Sequence, residues 1–246
     1  MKKVLVLFIL LLPLSGVLAQ KDPTPTVPSA TQEAEDESAD FAEVIADAPQ
    51  SRLEDGGFVV GDPDAPITIV EFSDWACPHC QAYREVLEPI LAEYIPLGMV
   101  RYELRPFPTA GGEMTIFAAQ VVECADELSE GGFWQSYFVL YDLAVERNYD
   151  VTGILDAITT ELDIDQAELL DCLPDAEQIL TDFDLAIDLG VQGTPAVLIR
   201  YGDGEPQFIE LDGETYDLGG PPEEVLRTVI EEAEEMEIQP TPTSGK

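Results

Sequence analysis

The sequence predicts an α/β domain with strands at both ends of the globular segment and a helical block between them. Three observations predict it. Ile67-Thr68-Ile69-Val70-Glu71-Phe72 is β-branched and apolar on both faces, as a central strand covered from both sides must be. Tyr83, Val86, Leu87, Ile90, Leu91 and Tyr94 then recur at three- and four-residue spacing, the period of an amphipathic helix. Much later, Ala196–Tyr201 and Gln207–Leu211 flank the turn Gly202-Asp203-Gly204-Glu205 as a β-hairpin.

The remaining elements fall into place around these. A short strand, Phe58–Val60, and the turn Gly61–Pro66 open the segment, and Val100–Leu104 is a further strand. Five helical patterns follow: Ile116–Ala125, Phe133–Val145, Thr152–Leu162, Gln166–Leu173 and Ala176–Leu189, punctuated by Gly131-Gly132, Pro174 and Gly190. The last helix, from Pro222 to about Met236, begins with Pro and two acids, which suit the positive end of a helix. The expected order is β-β-α-β, a helical block, then β-β-α.

The chain of 246 residues is long enough for one such domain plus tails. Its 11 Lys and Arg against 50 Asp and Glu give a formal charge of −39, which repels nucleic acid and anionic lipid and argues against both as partners. The acids are spread along the chain, as in a solubility device; attraction of cationic clients is the functional alternative. Lys2 and Lys3, the apolar run Val4–Leu14 and the small residues Ser15–Ala19 read as a secretory signal over residues 1–19. The alternative is an uncleaved membrane anchor. Either places the folded part outside the cytosol, in a periplasmic or other extracytoplasmic space where disulfides persist. Residues 20–55, rich in Pro, Thr, Ser, Asp and Glu, read as a disordered tether in which Phe41 to Ile45 could form one helical turn, and 238–246 as a second polar tail. The globular segment is 56–237, with the helical insertion at about 112–189.

The chemistry-bearing motif is Cys77-Pro78-His79-Cys80, placed where a strand and loop give way to a helix. Unpaired backbone N–H groups and the positive end of the helix dipole favour a thiolate on Cys77. Pro78 suits the first helical position, where its missing N–H would have had no partner. His79 can supply positive charge or a hydrogen bond beside the sulfur. Cys80, one turn further in, can attack a mixed disulfide formed at Cys77. Half of a zinc site is the main alternative, but His79 is the sole histidine and Cys124, Cys172 or an acid would have to complete it. A purely structural disulfide between Cys77 and Cys80 is the other.

Taken with the strand before it and Gly193-Thr194-Pro195 far downstream, the segment Glu71-Phe72-Ser73-Asp74-Trp75-Ala76-Cys77-Pro78-His79-Cys80 resembles the DsbA-like thiol–disulfide oxidoreductases. The resemblance covers about Gly56 to Glu235. It implies a thioredoxin fold with an inserted helical domain, Cys77 as nucleophile and Cys80 as resolving thiol. It further implies a Thr194-Pro195 loop, cis before the proline, facing the dithiol to pair with an extended client. Glu71 stands where the family often places a buried acid that relays the Cys80 proton; a solvated carboxylate at a strand end is the alternative. Trp75 is expected to pack or to touch clients. Cys124 and Cys172, an even pair left over on helices of the insertion, would form a structural disulfide of the kind some such proteins carry, against two buried free thiols.

The implied activity is oxidation of thiols in exported client proteins, with re-oxidation by a membrane partner of the DsbB- or VKOR-like type and no cofactor beyond the cysteine pair. An isomerase or reductase of the same fold is one alternative. The other is a chaperone or metallochaperone that binds exported clients without turnover, although one histidine and four methionines make a poor soft-metal site.

Overall fold

A computed structural model describes residues 40–238. The expected signal segment, the tether as far as residue 39 and the tail from 239 lie outside the described residues. Helix α1 (Phe41–Asp47) and strand β1 (Gln50–Arg52) come first, followed by β2 (Phe58–Val60), β3 (Ile67–Ser73), α2 (Pro78–Tyr94) and β4 (Val100–Pro106). The insertion comprises α3 (Glu113–Leu128), α4 (Gly132–Val145), α5 (Val151–Leu162), α6 (Gln166–Cys172) and α7 (Gln178–Asp188). The chain closes with β5 (Ala196–Tyr201), β6 (Gln207–Leu211), β7 (Glu214–Tyr216) and α8 (Glu223–Ile238). Among the described residues, no helix is long and apolar enough to cross a membrane.

The strands form one sheet in the order β1-β2-β4-β3-β5-β6-β7, with β3 and β4 parallel and the other neighbours antiparallel. Every residue of β3 is buried, because the strand lies at the centre with both faces covered. Ile67 and Ile69, with Val100, Tyr102 and Leu104 of β4, face the large core built with α2, α8 and the insertion. Val70 and Phe72, with Ala196 and Leu198 of β5, face the opposite side, where Ala186 of α7 and Val191 close a smaller core. The strand alternation thus sorts one sequence run into two cores.

The tether expected over 20–55 is corrected at its C-terminal end. Phe41, Val44 and Ile45 recur at helical spacing and are buried, and the Phe41 ring meets those of Tyr102 and Tyr137 edge-on. The Asp40 side chain caps α1 by accepting from Ala42 N at 3.1 Å. β1 extends the sheet by pairing with β2. The helical turn read over Phe41 to Ile45 is there, and what the polar average over the stretch hid is its packing, because its partner surface lies far along the chain. β7, a three-residue edge strand, was likewise absent from the expectation, and α7 starts at Gln178 rather than Ala176.

One buried cation ties these pieces together. Arg105, at the end of β4 and 0% exposed, holds Glu103 at 2.7 Å, Asp182 of α7 at 2.8 Å and both carboxylate oxygens of Asp55 at 2.8 and 2.9 Å. Arg200 of β5 reaches the far side of Glu103 at 2.6 Å. Burial pushes the Asp182 carboxyl up to about 6 even with Arg105 beside it. Gly57 has no side chain because a Cβ there would run into the Arg105 guanidinium. In the insertion, Cys124 of α3 and Cys172 of α6 are joined by a disulfide that closes 48 residues of sequence separation.

Arg105→Met is expected to lower unfolding free energy by about 3–5 kcal/mol in denaturant titration, because it strands the buried Asp182 without a cation and leaves Glu103 with Arg200 alone. Replacing both Cys124 and Cys172 by Ala is expected to cost about 2–4 kcal/mol in the same assay, while leaving thiol exchange at Cys77 unchanged wherever the protein stays folded.

Candidate active site

β3 ends at Ser73, and a short loop delivers Cys77 to the N-cap of α2. Cys77 N donates to Asp74 O at 2.9 Å, and Gln81 N donates to Cys77 O at 3.0 Å, so the loop is closed before the helix begins. Pro78 occupies the first turn, which carries no acid, so nothing there offsets the positive helix end beneath the sulfur. Cys77 is 6% exposed and Cys80 fully buried, and both are free thiols. Pro78 and His79 are exposed.

The Thr194-Pro195 peptide is cis, and the Thr194 carbonyl lies 3.5 Å from Cys77 Sγ, in position to accept from the thiol. Residues separated by 117 positions thus meet at the nucleophile. Thr194 itself is largely buried, at the end of the loop that leads into β5.

Beneath Cys77 the site is buried and polar. Glu71 is 2% exposed and accepts a hydrogen bond from Tyr102 Oη at 2.5 Å. Burial raises its carboxyl above the usual range, while the Tyr102 and Ser73 hydroxyls pull the other way. Cys80 is pushed up to about 12, first by burial and then by the Glu71 charge; hydroxyls of Thr194 and Ser73 and the Asp74 backbone N–H oppose this. Ser73 Oγ also lies 2.9 Å from Tyr141 Oη. From there, Tyr141 and Tyr137 pack under the Arg84 guanidinium, and Tyr137 donates to Glu88 at 3.1 Å. Trp75 is buried and belongs to the large core.

The structure therefore gathers Cys77, Cys80, Glu71, Thr194 and Pro195, with Pro78 and His79 on the solvent side of the same turn. Cys124 and Cys172 bond to each other within the insertion and are not available as further ligands to the dithiol. Among the described residues, no group of three or more His, Cys, Asp or Glu side chains is placed to hold a metal ion.

Two residues central to the site escaped the sequence analysis. Asp74, 0% exposed, accepts from Ala76 N, Thr109 N, Thr109 Oγ1, Gly111 N and Thr115 Oγ1. Thr109 in turn lies 2.6 Å from Thr194 through their hydroxyls. An Asp in a loop before a helix carries no signal that separates a solvated turn from a buried hub. The nearest sequence clue was Gly111-Gly112, which permits close approach: a Cβ at Gly111 would strike Thr115, Ala76 and Asp74.

The chain matches the thioredoxin family model over residues 53–205. It is 28% identical over 160 residues to the probable disulfide bond formation protein D of Bacillus anthracis, covering 62% of this chain and 73% of that one. It is 29% identical over 151 residues to disulfide bond formation protein D of Bacillus subtilis, covering 58% and 67%. Among solved structures, alpha-DsbA1 of Wolbachia pipientis superposes with a TM-score of 0.56 at 25% identity, covering 74% of this chain and 92% of that one. A dithiol at a strand-to-helix junction, faced by a cis-proline loop and carried on this sheet, places the chain in the thioredoxin family as a DsbA-like thiol–disulfide oxidoreductase.

Proposed function

We propose that this protein is an exported dithiol oxidase that introduces disulfides into secreted or envelope proteins through Cys77 and Cys80. The observation that carries the reading is the asymmetry of the two sulfurs. Cys77 sits at a helix N-terminus beside the Thr194 carbonyl, and Cys80 is buried next to Glu71. The name disulfide bond formation protein, borne by the Bacillus relatives, supports the oxidising direction. The apolar run Val4–Leu14 behind Lys2 and Lys3 supports export.

In the proposed cycle a client thiolate attacks Cys77 of the Cys77–Cys80 disulfide. The S–S bond breaks, its electron pair passes to Cys80, and the protonated Glu71 carboxyl supplies the Cys80 proton. A mixed disulfide now joins client and Cys77. A second client thiolate attacks the client sulfur, releasing oxidised client and Cys77 as a thiolate, which the positive end of α2 stabilises. Two electrons have moved from client to protein. Return to the disulfide runs the same steps backwards against an oxidant, proposed as a DsbB- or VKOR-like membrane protein. There Cys80 gives its proton to Glu71 as it attacks the mixed disulfide at Cys77. The cysteine pair is proposed as the whole redox centre, with no added cofactor, and the cis-Pro195 loop as the edge on which an extended client lies.

Cys77→Ser is expected to abolish oxidation of a reduced model substrate, and Cys80→Ser to accumulate mixed disulfides visible by non-reducing electrophoresis. Full activity in Cys77→Ser would sink the assignment. A reduction potential for the pair near that of thioredoxin, about −270 mV, would exclude the oxidase direction. Glu71 acts as a base only when ionised, and its carboxyl is raised, so displacement of glutathione from Cys77 by Cys80 should slow as pH falls through that raised value. Glu71→Gln should lose this acid limb and run about 10²-fold slower at neutral pH. An unchanged pH profile in Glu71→Gln would remove Glu71 from the mechanism.

A further inference from the structure

α7 turns one face inward and keeps two lanes outside. Ile179, Asp182 and Ala186 are buried, and Arg105 holds Asp182 at 2.8 Å, so the rotation of the helix about its axis is fixed. Leu180, Phe183 and Ile187, at i, i+3 and i+7, then share an outer face and are 61%, 41% and 56% exposed. Single exposed apolar residues are ordinary; three large ones in a row on one helix mark a surface that something covers. Beside this lane runs a second. Glu177, Asp184 and Asp188 are exposed and recur at helical spacing along its flank. Among the described residues, none of the three is in an ion pair.

The charge is one-sided well beyond the helix. No Lys, Arg or His occurs between Arg147 and Arg200. A second copy laid on α7 through the same face would set acid against acid, and an anionic lipid surface would be repelled. The occupant that satisfies both lanes carries apolar side chains beside a row of Lys or Arg. Phe183 connects the face to the catalytic loops. Its ring stacks on that of Phe107, with centroids 5.4 Å apart, and Phe107 shares its loop with Thr109, whose hydroxyl lies 2.6 Å from that of Thr194. α7 closes the smaller core, whereas α2 and both thiols belong to the larger one, so the face is separate from the cis-proline edge.

We infer that the outer face of α7 is a docking site for cationic, apolar segments of client proteins. As a statement about clients, this rests on the proposed function. The α7 face selects and retains the client, while the cis-proline edge aligns its cysteine. A client held here meets Cys77 as an intramolecular partner, at an effective concentration set by the chain between its docked segment and its thiol. Small thiols have no such segment and gain nothing from the face.

Binding is read on the full chain by fluorescence anisotropy, with a labelled, cysteine-free peptide carrying Leu at i, i+3, i+4 and i+7 and Lys beside them. Any protein this acidic attracts a cationic peptide, so the deciding variant leaves the charge alone. Leu180→Ser combined with Ile187→Ser, both more than half exposed and so harmless to the fold, should weaken binding by ~tenfold. Leu97→Ser, equally exposed on the turn after α2, should leave it unchanged. Asp184→Asn with Asp188→Asn should also weaken binding, and the parent's affinity should fall as salt rises from about 0.05 to about 0.5 M. The same peptide with Glu in place of Lys should not bind. With two cysteines added to the Lys peptide, the Leu180→Ser, Ile187→Ser chain should show a ~tenfold higher KM for its oxidation, with kcat and glutathione oxidation unchanged. Unaltered affinity in that double variant overturns the inference, as does an equal loss in Leu97→Ser. Self-association of the parent that the double variant abolishes would give the face to a second copy and overturn it too. Peptide binding as expected in a wild-type chain that cannot oxidise glutathione would instead overturn the proposed function and the client role, leaving the cationic docking site in place.

Discussion

The buried carboxylate of Asp74 is the contact on which the geometry of the site depends. The dithiol loop, the loop after β4 and the cis-proline loop come from three distant stretches of chain, and no strand pairing aligns their tips. One charged group satisfied by five donors does so, because a buried carboxylate that loses a donor pays its desolvation in full. The 3.5 Å approach of the Thr194 carbonyl to Cys77 is downstream of this arrangement.

A second polar centre, Arg105 with its carboxylates, acts where α7 packs against β4. It joins β4, β5, α7 and the segment before β2. Hydrophobic contact is non-directional and would let α7 slide along the sheet; a guanidinium with fixed donor directions does not. Since α7 leads directly into the cis-proline loop, its register determines where Thr194 falls. The two networks therefore fix that loop from its approach and from its tip.

Electrostatics within the site divide the labour between the sulfurs. Cys77 lies at the positive end of α2, and Cys80 is buried beside Glu71. A leaving group that stabilises charge and a resolving group that resists it suit successive steps of disulfide exchange. The Ser73, Tyr141, Tyr137, Arg84 and Glu88 side chains connect the buried acid with a half-exposed ion pair, so the pocket is polar throughout although closed to solvent.

The sequence by itself determined the central strand, the long helix after it, the C-terminal hairpin and the reactive tetrapeptide, since each is written in local periodicity or spacing. Cys77-Pro78-His79-Cys80 was legible because helix start, proline and thiols are neighbours in the chain. What only tertiary structure decided involves groups that meet across long separations. Phe41 to Ile45 read as one helical turn in a polar stretch with nothing depending on it, until the Tyr102 and Tyr137 rings gave Phe41 a surface. Asp74 and Thr109 looked like ordinary loop residues. Burial turned the first into an obligatory acceptor, and that acceptor gave the second its direction. The desolvation cost that makes such polar groups choose partners exists only once the chain has closed around them.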